Sequence, residues 1–219
     1  MSKALVTFAT GTHVEYLDIA RPSFKAYAAL HGYDYIEPAP FQPKRPPPWY
    51  KIPLLRQALD TYDEAVFIGA DLVIMDGRQD FAESVPAEAW QAMVRHATGD
   101  GDVPNDDMWL VRKPMIPILD TIWRMDKWLN HGWWEQAALL ELMGYHVIQP
   151  THLIEPTELY QRTHWLDNCW NVHIWDKVKP EHPRFQHATM WPDRKAVMTE
   201  WALEAQGWMY ETSRLPVIC

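Results

Sequence analysis

In the stretch FIGADLVIMD, residues 67–76, the acid Asp71 lies inside a run of mostly apolar residues. Residues 65–68 predict a buried strand that ends at Gly69, and residues 72–75 predict a second short strand. A buried carboxylate without a partner is strongly unfavourable, so Asp71 needs a role. Two interpretations stay open. Asp71 either turns the chain between two strands, or it is a functional acid at the carboxyl end of a strand, where open α/β sheets bind their ligands.

The segments around this stretch alternate between strand and helix patterns. Residues 4–9 predict a buried strand, residues 16–30 carry apolar side chains at helical spacing, and residues 33–36 predict a second strand. We expect the regular helix to start near Pro22. This order predicts an α/β, Rossmann-like fold, with a mainly parallel twisted sheet flanked by helices. Further helices are predicted over 49–62, 86–96, 114–129 and 133–143, further strands over 108–112 and 145–148, loops over 38–48 and 98–107, and an irregular Trp-rich C-terminal extension after 148.

Length and composition bound the class of protein. The chain has 219 residues and a formal net charge of -9, so we expect one domain and a small-molecule partner rather than general binding to nucleic acid. Its two cysteines, Cys169 and Cys219, are typical of a reducing compartment. The first residues lack the apolar run of a signal peptide and no stretch is apolar enough for a membrane span, so we expect a cytoplasmic protein. The 13 tryptophans are expected mainly in the core, although such rings also stack on sugars and bases.

Five segments together carry a resemblance to a known family. They are WYKIPLLRQAL (49–59), YDEAVFIGADLVIMD (62–76), NDDMWLVR (105–112), WWEQAALLELMGY (133–145) and FQHATM (185–190). In this order and spacing they resemble the GT-A nucleotide-sugar glycosyltransferases, in particular the galactosyl- and xylosyltransferase-like group. The resemblance covers residues 4–190. It implies a single GT-A domain over 1–219, with a nucleotide-sugar-binding half, 1–112, and an acceptor-side half, 113–219.

The resemblance implies a glycosyltransferase that moves a hexose or a pentose from a nucleotide-diphosphate donor, expected to be a UDP-sugar, to an acceptor hydroxyl with retention of configuration. It also implies Mn²⁺ or Mg²⁺ held by Asp71 and His187, because a divalent cation neutralises the donor diphosphate. Gly69 stands where the family's Asp-x-Asp motif has its first acid. Three consequences stay open: Asp71 and His187 suffice with water and donor oxygens, Asp106 or Asp107 supplies the missing carboxylate, or metal dependence is weakened or lost.

Glu135 and Gln136 match the family's Trp-x-Asp-Gln motif, with Glu in place of Asp, and are the implied catalytic residues. An acid and an amide side by side can form hydrogen bonds with sugar hydroxyls. The carboxylate of the acid can also stabilise an oxocarbenium-like centre or act as a base. Alternatively, Glu135 is simply an acid that the helix dipole favours in the first turn, His187 is a structural histidine and Arg112 is an ion-pair partner. The implied donor-binding residues are Thr7, Ala9, Thr10, Tyr16, Lys51, Gly69, Ala70, Asp71, Asn105, Asp106, Asp107, Arg112 and Lys195.

A second hypothesis is that the protein has this fold but catalyses no transfer, because Gly69 is also compatible with an inactive protein that binds sugar nucleotides or glycans. The acceptor stays open as well, and a glycan, a small molecule or a hydroxylated base of viral DNA are the alternatives. With neither anchor nor signal expected, a bacterial or viral enzyme is favoured. Net negative charge disfavours DNA, although Lys44, Arg45 and Lys51 would suit one DNA groove. No feature of the sequence indicates an obligate protein partner.

Overall fold

A computed structural model describes residues 1–39, 41, 44–98, 101–149 and 151–213. The strands are β1 (Lys3–Val6), β2 (Asp34–Ile36), β3 (Glu64–Ile68), β4 (Leu72–Ile74), β5 (Gln91–Thr98), β6 (Gly101–Arg112), β7 (Tyr145–His146), β8 (His152–Leu153), β9 (Thr163–Leu166) and β10 (Phe185–His187). The helices are α1 (His13–His31), α2 (Lys51–Thr61), α3 (Ile116–Trp123), α4 (Trp134–Met143), α5 (Glu158–Gln161) and α6 (Arg194–Thr212).

The central sheet has six strands in the order β2-β1-β3-β6-β5-β9. Pairs β1 with β2, β1 with β3 and β5 with β9 are parallel, whereas β6 is antiparallel to both of its neighbours. Five strands therefore run one way and β6 runs the other, which confirms the predicted mainly parallel α/β sheet. Two small antiparallel pairs, β4 with β10 and β7 with β8, lie outside it.

Both faces of the central sheet are buried, as the near-continuous apolar runs of its inner strands require. Alternate side chains of β3 point to opposite faces. Val66 and Ile68 join the core that contains α1 and α6, and Ala65 and Phe67 join the core that contains α2, α3 and α4. The sheet is thus the middle layer of three. Among the described residues, no helix combines the length and the apolar character needed to cross a membrane.

Several sequence predictions about element bounds were wrong. Helix α1 begins at His13 and continues through Pro22, because burial of its apolar face outweighs the missing amide donor. Most of the predicted helix over 86–96 is replaced by β5, which pairs with β6. The predicted loop over 98–107 is largely the first half of β6, in which Pro104 faces Arg95. Long-range pairing overrides local turn propensity there.

The C-terminal part is also more regular than predicted, since α6 extends over 19 residues and packs against α1. The predicted loop over 38–48 and Cys219 lie partly or wholly outside the described residues.

Strand pairing brings distant segments of the sequence to the end of β3. The amide of Gly69, just after β3, donates to the carbonyl of Asp107 in β6 at 2.7 Å. In the β4–β10 pair, Leu72 lies opposite His187, and the amide of Ala188 donates to the carbonyl of Asp71 at 2.8 Å. Residues that the sequence separates widely therefore meet at one edge of the sheet.

Candidate active site

A cavity of about 450 Å³ lies next to this edge. Its walls come from residues 103–107 of β6, from residues 132–136 around the start of α4, and from Lys51 at the start of α2. The C-terminal part closes the other side with the segments around residues 173–175 and 189–194. The polar groups of the lining therefore come from the middle of β6, from the starts of α2 and α4, and from the C-terminal part.

Asp71, Asp107 and His187 form a cluster beside the cavity, which we call the His187 cluster. The Nε2 atom of His187 lies 3.4 Å from Oδ1 of Asp71 and 3.7 Å from Oδ2 of Asp107. Arg194, which lines the cavity, places Nη1 3.3 Å from Oδ2 of Asp71. Burial alone would raise the pKa of Asp71, but the interactions of its carboxylate with His187 and Arg194 outweigh burial and lower this pKa to about 2. Asp71 is therefore a carboxylate at neutral pH.

The orientation of the His187 ring is set by hydrogen bonds at its other nitrogen. Nδ1 of His187 lies 3.1 Å from Oδ1 of Asn171 and 2.9 Å from Nε2 of His173. Since an amide oxygen only accepts, a proton on Nδ1 satisfies the Asn171 contact and leaves the lone pair on Nε2. That Nε2 atom is buried and has no hydrogen-bond partner among the described residues. A buried imidazole nitrogen facing two carboxylates suits a divalent metal ion.

A chain of amides continues from the His187 cluster to the start of α4. Asn171 donates through Nδ2 to Oδ1 of Asn105 at 2.8 Å, and Asn105 donates through Nδ2 to Oε1 of Gln136 at 3.4 Å. The amide of Asp107 also donates to Oδ1 of Asn105. Hydrogen bonds therefore connect the ring of His187 to the implied catalytic amide of Gln136.

The second part of the site is a buried lysine among three acids. Nζ of Lys51 lies 2.9 Å from a carboxylate oxygen of each of Asp106, Asp107 and Glu135. Although burial disfavours the charge on Lys51, the three acids hold its pKa well above the usual value. Oδ2 of Asp106 and Oε2 of Glu135 are buried and have no hydrogen-bond partner among the described residues.

One ammonium cannot compensate the buried carboxylates of Asp106 and Glu135 together with the partly exposed one of Asp107, so an acid in this group keeps its proton. Burial raises the pKa of Glu135 to about 8, against the attraction of Lys51 and with repulsion from Asp106 added. Burial also raises the pKa of Asp106. In the free protein at neutral pH, Glu135 is therefore mainly a hydrogen-bond donor rather than a base.

Gly69 and Ala70 follow the end of β3, as the sequence predicted. The carboxylate nearest to Gly69 on the neighbouring strand is that of Asp107, on β6. A Cβ atom added at Gly69 would lie 3.4 Å from Cβ of Asp107 and 3.5 Å from Oδ1 of Asp71. Asp107 therefore holds its carboxylate in the neighbourhood that an acid at position 69 would occupy. Ala70 is buried in the core.

Other predicted donor-binding residues lie outside the cavity lining. Thr7 is fully buried and its hydroxyl donates to the carbonyl of Ile68 at 2.8 Å. Arg112 pairs with Glu64 at 2.9 Å, at the end of β3 opposite to Gly69, which matches the alternative of an ion-pair partner.

Lys195 extends to Glu15 at 2.7 Å, and its neighbour Arg194 is the cation at the site. Tyr16 packs against the core, and Ala9 and Thr10 lie in the connection after β1. The donor-binding roles of these residues stay predictions.

The segment NVHIWD, residues 171–176, supplies functional candidates that sequence reasoning missed. Asn171 and His173 contact His187, and His173 and Trp175 line the cavity. Their spacing of two is the available signal, because alternate residues of an extended segment point to the same side.

Comparison with protein-family models and with curated protein sequences finds no match. Among solved structures, the chain is similar to a glycosyltransferase involved in the glycosylation of the major capsid of PBCV-1, with 14% identity, a TM-score of 0.69, and coverage of 93% of this chain and 99% of that one. It is also similar to the glycosyltransferase GlyE of Streptococcus pneumoniae TIGR4, with 13% identity, a TM-score of 0.64, and coverage of 100% and 66%. A third similar structure is the galactosyltransferase LgtC with donor and acceptor sugar analogs, at 10% identity, a TM-score of 0.59, and coverage of 93% and 95%.

These similarities define the class of fold. The chain has the α/β fold of GT-A glycosyltransferases, with a mainly parallel central sheet flanked by helices. A shared fold at such low identity does not itself assign a reaction, so function has to be argued from the site.

Proposed function

We propose that the protein is a glycosyltransferase that transfers a sugar from a nucleotide-diphosphate donor to an acceptor hydroxyl. The observation that carries the proposal is the meeting of the His187 cluster with Lys51, Glu135 and Gln136 beside one cavity. The His187 cluster suits a diphosphate and its metal ion, and Glu135 and Gln136 suit sugar hydroxyls. Their adjacency matches a substrate that is a diphosphate at one end and a sugar at the other.

The proposed cofactor is Mn²⁺ or Mg²⁺, held by Asp71, Asp107 and His187. The donor set of two carboxylates and one imidazole fits Mn²⁺ better, because Mg²⁺ prefers oxygen ligands alone. When bound, the ion would neutralise the diphosphate and so favour its departure. Asp107 is the answer we propose to the missing acid at Gly69, since its carboxylate extends from the neighbouring strand into the same neighbourhood.

The residues of the chain bind and orient the two substrates. Arg194 supplies a positive charge on the diphosphate side of the site. Gln136, fixed by Asn105, offers its amide to the sugar, and the unpaired Oε2 of Glu135 is available to a sugar hydroxyl. In the transfer, the acceptor oxygen bonds to the anomeric carbon and the bond from that carbon to the diphosphate breaks, with its electron pair leaving on the diphosphate. The hydroxyl proton passes to the departing diphosphate oxygen, and retention of configuration is expected from the resemblance.

Thermal unfolding with a panel of UDP-, GDP-, TDP- and CMP-sugars, each with Mn²⁺ and with EDTA, tests the proposal. We expect one donor to raise the unfolding midpoint with Mn²⁺, and EDTA to remove the effect, because a ligand that binds only the folded state stabilises it. The same donor should be hydrolysed slowly without an acceptor. Asp71→Ala should abolish both effects, and Asp60→Ala, a change of an exposed acid away from the site, should preserve them.

The two hypotheses give different results in this panel. A metal-dependent shift without hydrolysis or transfer would support the inactive sugar-nucleotide-binding protein. No shift and no hydrolysis with any donor would overturn the proposal. Glu135→Gln should lower the transfer rate far more than donor affinity, and an unchanged rate would leave Glu135 with a structural role, at the start of α4 and beside Lys51.

A further inference from the structure

The mouth of the cavity carries an unusual set of exposed apolar side chains. All 13 tryptophans are among the described residues, and Trp134 and Trp175, at 38% and 44% exposure, are the two that are exposed. Both line the same cavity. The other tryptophans fill the core or are partly buried, as the composition predicts. Two exposed indole rings at one opening therefore require a separate explanation.

Backbone strain occurs at the same opening. Trp134 has φ of 45° and Met190 has φ of 62°, and they are the two non-glycine residues with positive φ among the described residues. Both line the cavity. A bulky side chain disfavours this conformation, and such strain persists mainly where a site depends on the side chain's position. The fold thus holds Trp134 and Met190 at the cavity in spite of their backbone preference.

Two buried histidines add unsatisfied polar atoms to the lining. Nε2 of His96 and Nδ1 of His173 have no hydrogen-bond partner among the described residues, although each residue is only 3% exposed. With Asp176, the same histidines are close enough to be considered for a metal ion. Their rings, however, are stacked at 3.6 Å and nearly parallel, so their in-plane lone pairs cannot converge well on one ion. Hydrogen bonds to a ligand suit them better.

The charged groups of the lining indicate the chemistry of the ligand. The described cations that line the cavity are Lys51 and Arg194, and both are paired with carboxylates. Carboxylates and amides supply most of the other polar groups, such as Asp106, Glu135 and Gln149. Arg194 faces the proposed diphosphate site. Away from it, a phosphate-bearing acceptor would meet acids without an unpaired cation, whereas an uncharged acceptor rich in hydroxyls matches them.

We propose that this opening is the acceptor site and that the acceptor is an uncharged saccharide, whose ring stacks on Trp134 and Trp175. The C–H face of a pyranose packs on an indole ring, and its hydroxyls would reach the acids, the amides and the two histidines. This inference rests on the proposed function and names the acceptor class of the same site. It favours a glycan over a hydroxylated base in DNA, because DNA would bring phosphates to a lining of acids.

The test measures transfer from the donor identified above to a panel of methyl pyranosides of glucose, galactose, mannose and xylose and their disaccharides. An oligonucleotide that carries 5-hydroxymethylcytosine is the competing acceptor. The variants are Trp134→Ala and Trp175→Ala, with Trp134→Tyr to retain a ring. Tyr210→Ala, which removes an exposed aromatic side chain outside the cavity lining, is the matched control.

We expect at least one saccharide to accept the sugar, and each Trp→Ala change to raise its KM about tenfold, as for a lost stacking contact. Donor hydrolysis and donor affinity should change by less than about twofold, since neither ring is in the proposed metal or diphosphate site. Trp134→Tyr should restore much of the affinity. Trp134→Gly should raise KM without lowering the unfolding midpoint, because glycine relieves the positive φ.

Three results would overturn the inference while leaving the proposed function intact. They are donor hydrolysis without transfer to any saccharide of the panel, transfer to the oligonucleotide alone, and saccharide transfer with a KM that both Trp→Ala changes leave unaltered. Absence of donor binding and hydrolysis in the unmodified protein would instead overturn the proposed function itself.

Discussion

Asp107 lies directly beside Gly69 on the neighbouring strand, joined to it by a backbone hydrogen bond of 2.7 Å. Its carboxylate reaches Lys51 through one oxygen and faces His187 with the other. The acid that the Asp-x-Asp resemblance expects on β3 thus has a counterpart on β6. Because strands β3 and β6 are antiparallel, a side chain after one strand and a side chain within the other can occupy the same space.

Exchange of the acid between the two positions tests this relationship. Asp107→Gly should weaken Mn²⁺ binding by at least about tenfold, because one of three proposed ligands is lost. The double change Gly69→Asp with Asp107→Gly should restore a substantial part of the affinity, although Leu72 must shift slightly to make room. Mn²⁺ affinity is measured by electron paramagnetic resonance, independently of turnover. Equal affinities in the single and double variants would show that Asp107 does not replace the acid missing at position 69.

Removal of the lysine charge should destabilise the fold. Lys51→Met leaves the buried carboxylate of Asp106 without its cation, which costs about 3–5 kcal/mol of unfolding free energy. Adding Asp106→Asn to Lys51→Met should recover part of the loss, because no buried carboxylate at position 106 then needs a cation. Urea denaturation measures both effects. Additive losses in the double variant would contradict the direct coupling of Lys51 to Asp106.

The pH dependence of stability should report the proton on Glu135. Its pKa is raised from 4.5 to about 8 in the folded protein, so the folded state binds this proton more tightly than the unfolded state. The contribution of this tighter proton binding to the unfolding free energy is fully present below about pH 4.5 and is lost as the pH rises toward about 8. Relative to wild type, Glu135→Gln should therefore become progressively more stable across that range. Parallel curves of unfolding free energy against pH for the two proteins would contradict the assignment.

Asn171 should act as a positioning residue for His187. Asn171→Ala removes the acceptor at Nδ1, so the ring loses a fixed tautomer and Mn²⁺ affinity should fall about 10- to 100-fold. Asn171→Asp keeps an acceptor and should retain most of the affinity. Asn168→Ala, which changes a partly exposed amide that donates to the carbonyl of Val178 outside the site, is the matched control. Unaltered Mn²⁺ affinity in Asn171→Ala would assign the orientation of the ring to His173 instead.

Local patterns allowed part of the fold to be predicted. The continuous apolar run of β3 and the helical spacing over α2 and α4 depend on neighbouring residues, and the positions of these elements agree with the predictions to within a few residues. The hairpin of β5 and β6 was missed, because glycine, Pro104 and several acids favour a loop locally. Pairing along the whole of β6 stabilises a strand there despite that preference.

Local sequence patterns are enough to establish the α/β class and to place an acid, Asp71, at the end of a buried strand. The groups that surround Asp71 follow from the tertiary structure and cannot be read from those patterns. The convergence of Asp107, Asn171 and His187, and the desolvation that leaves Glu135 protonated beside Lys51, depend on contacts between distant segments. A sequence pattern records which side chains a strand or helix turns toward the core, whereas pKa values and ligand geometry depend on the packing of separate elements against one another.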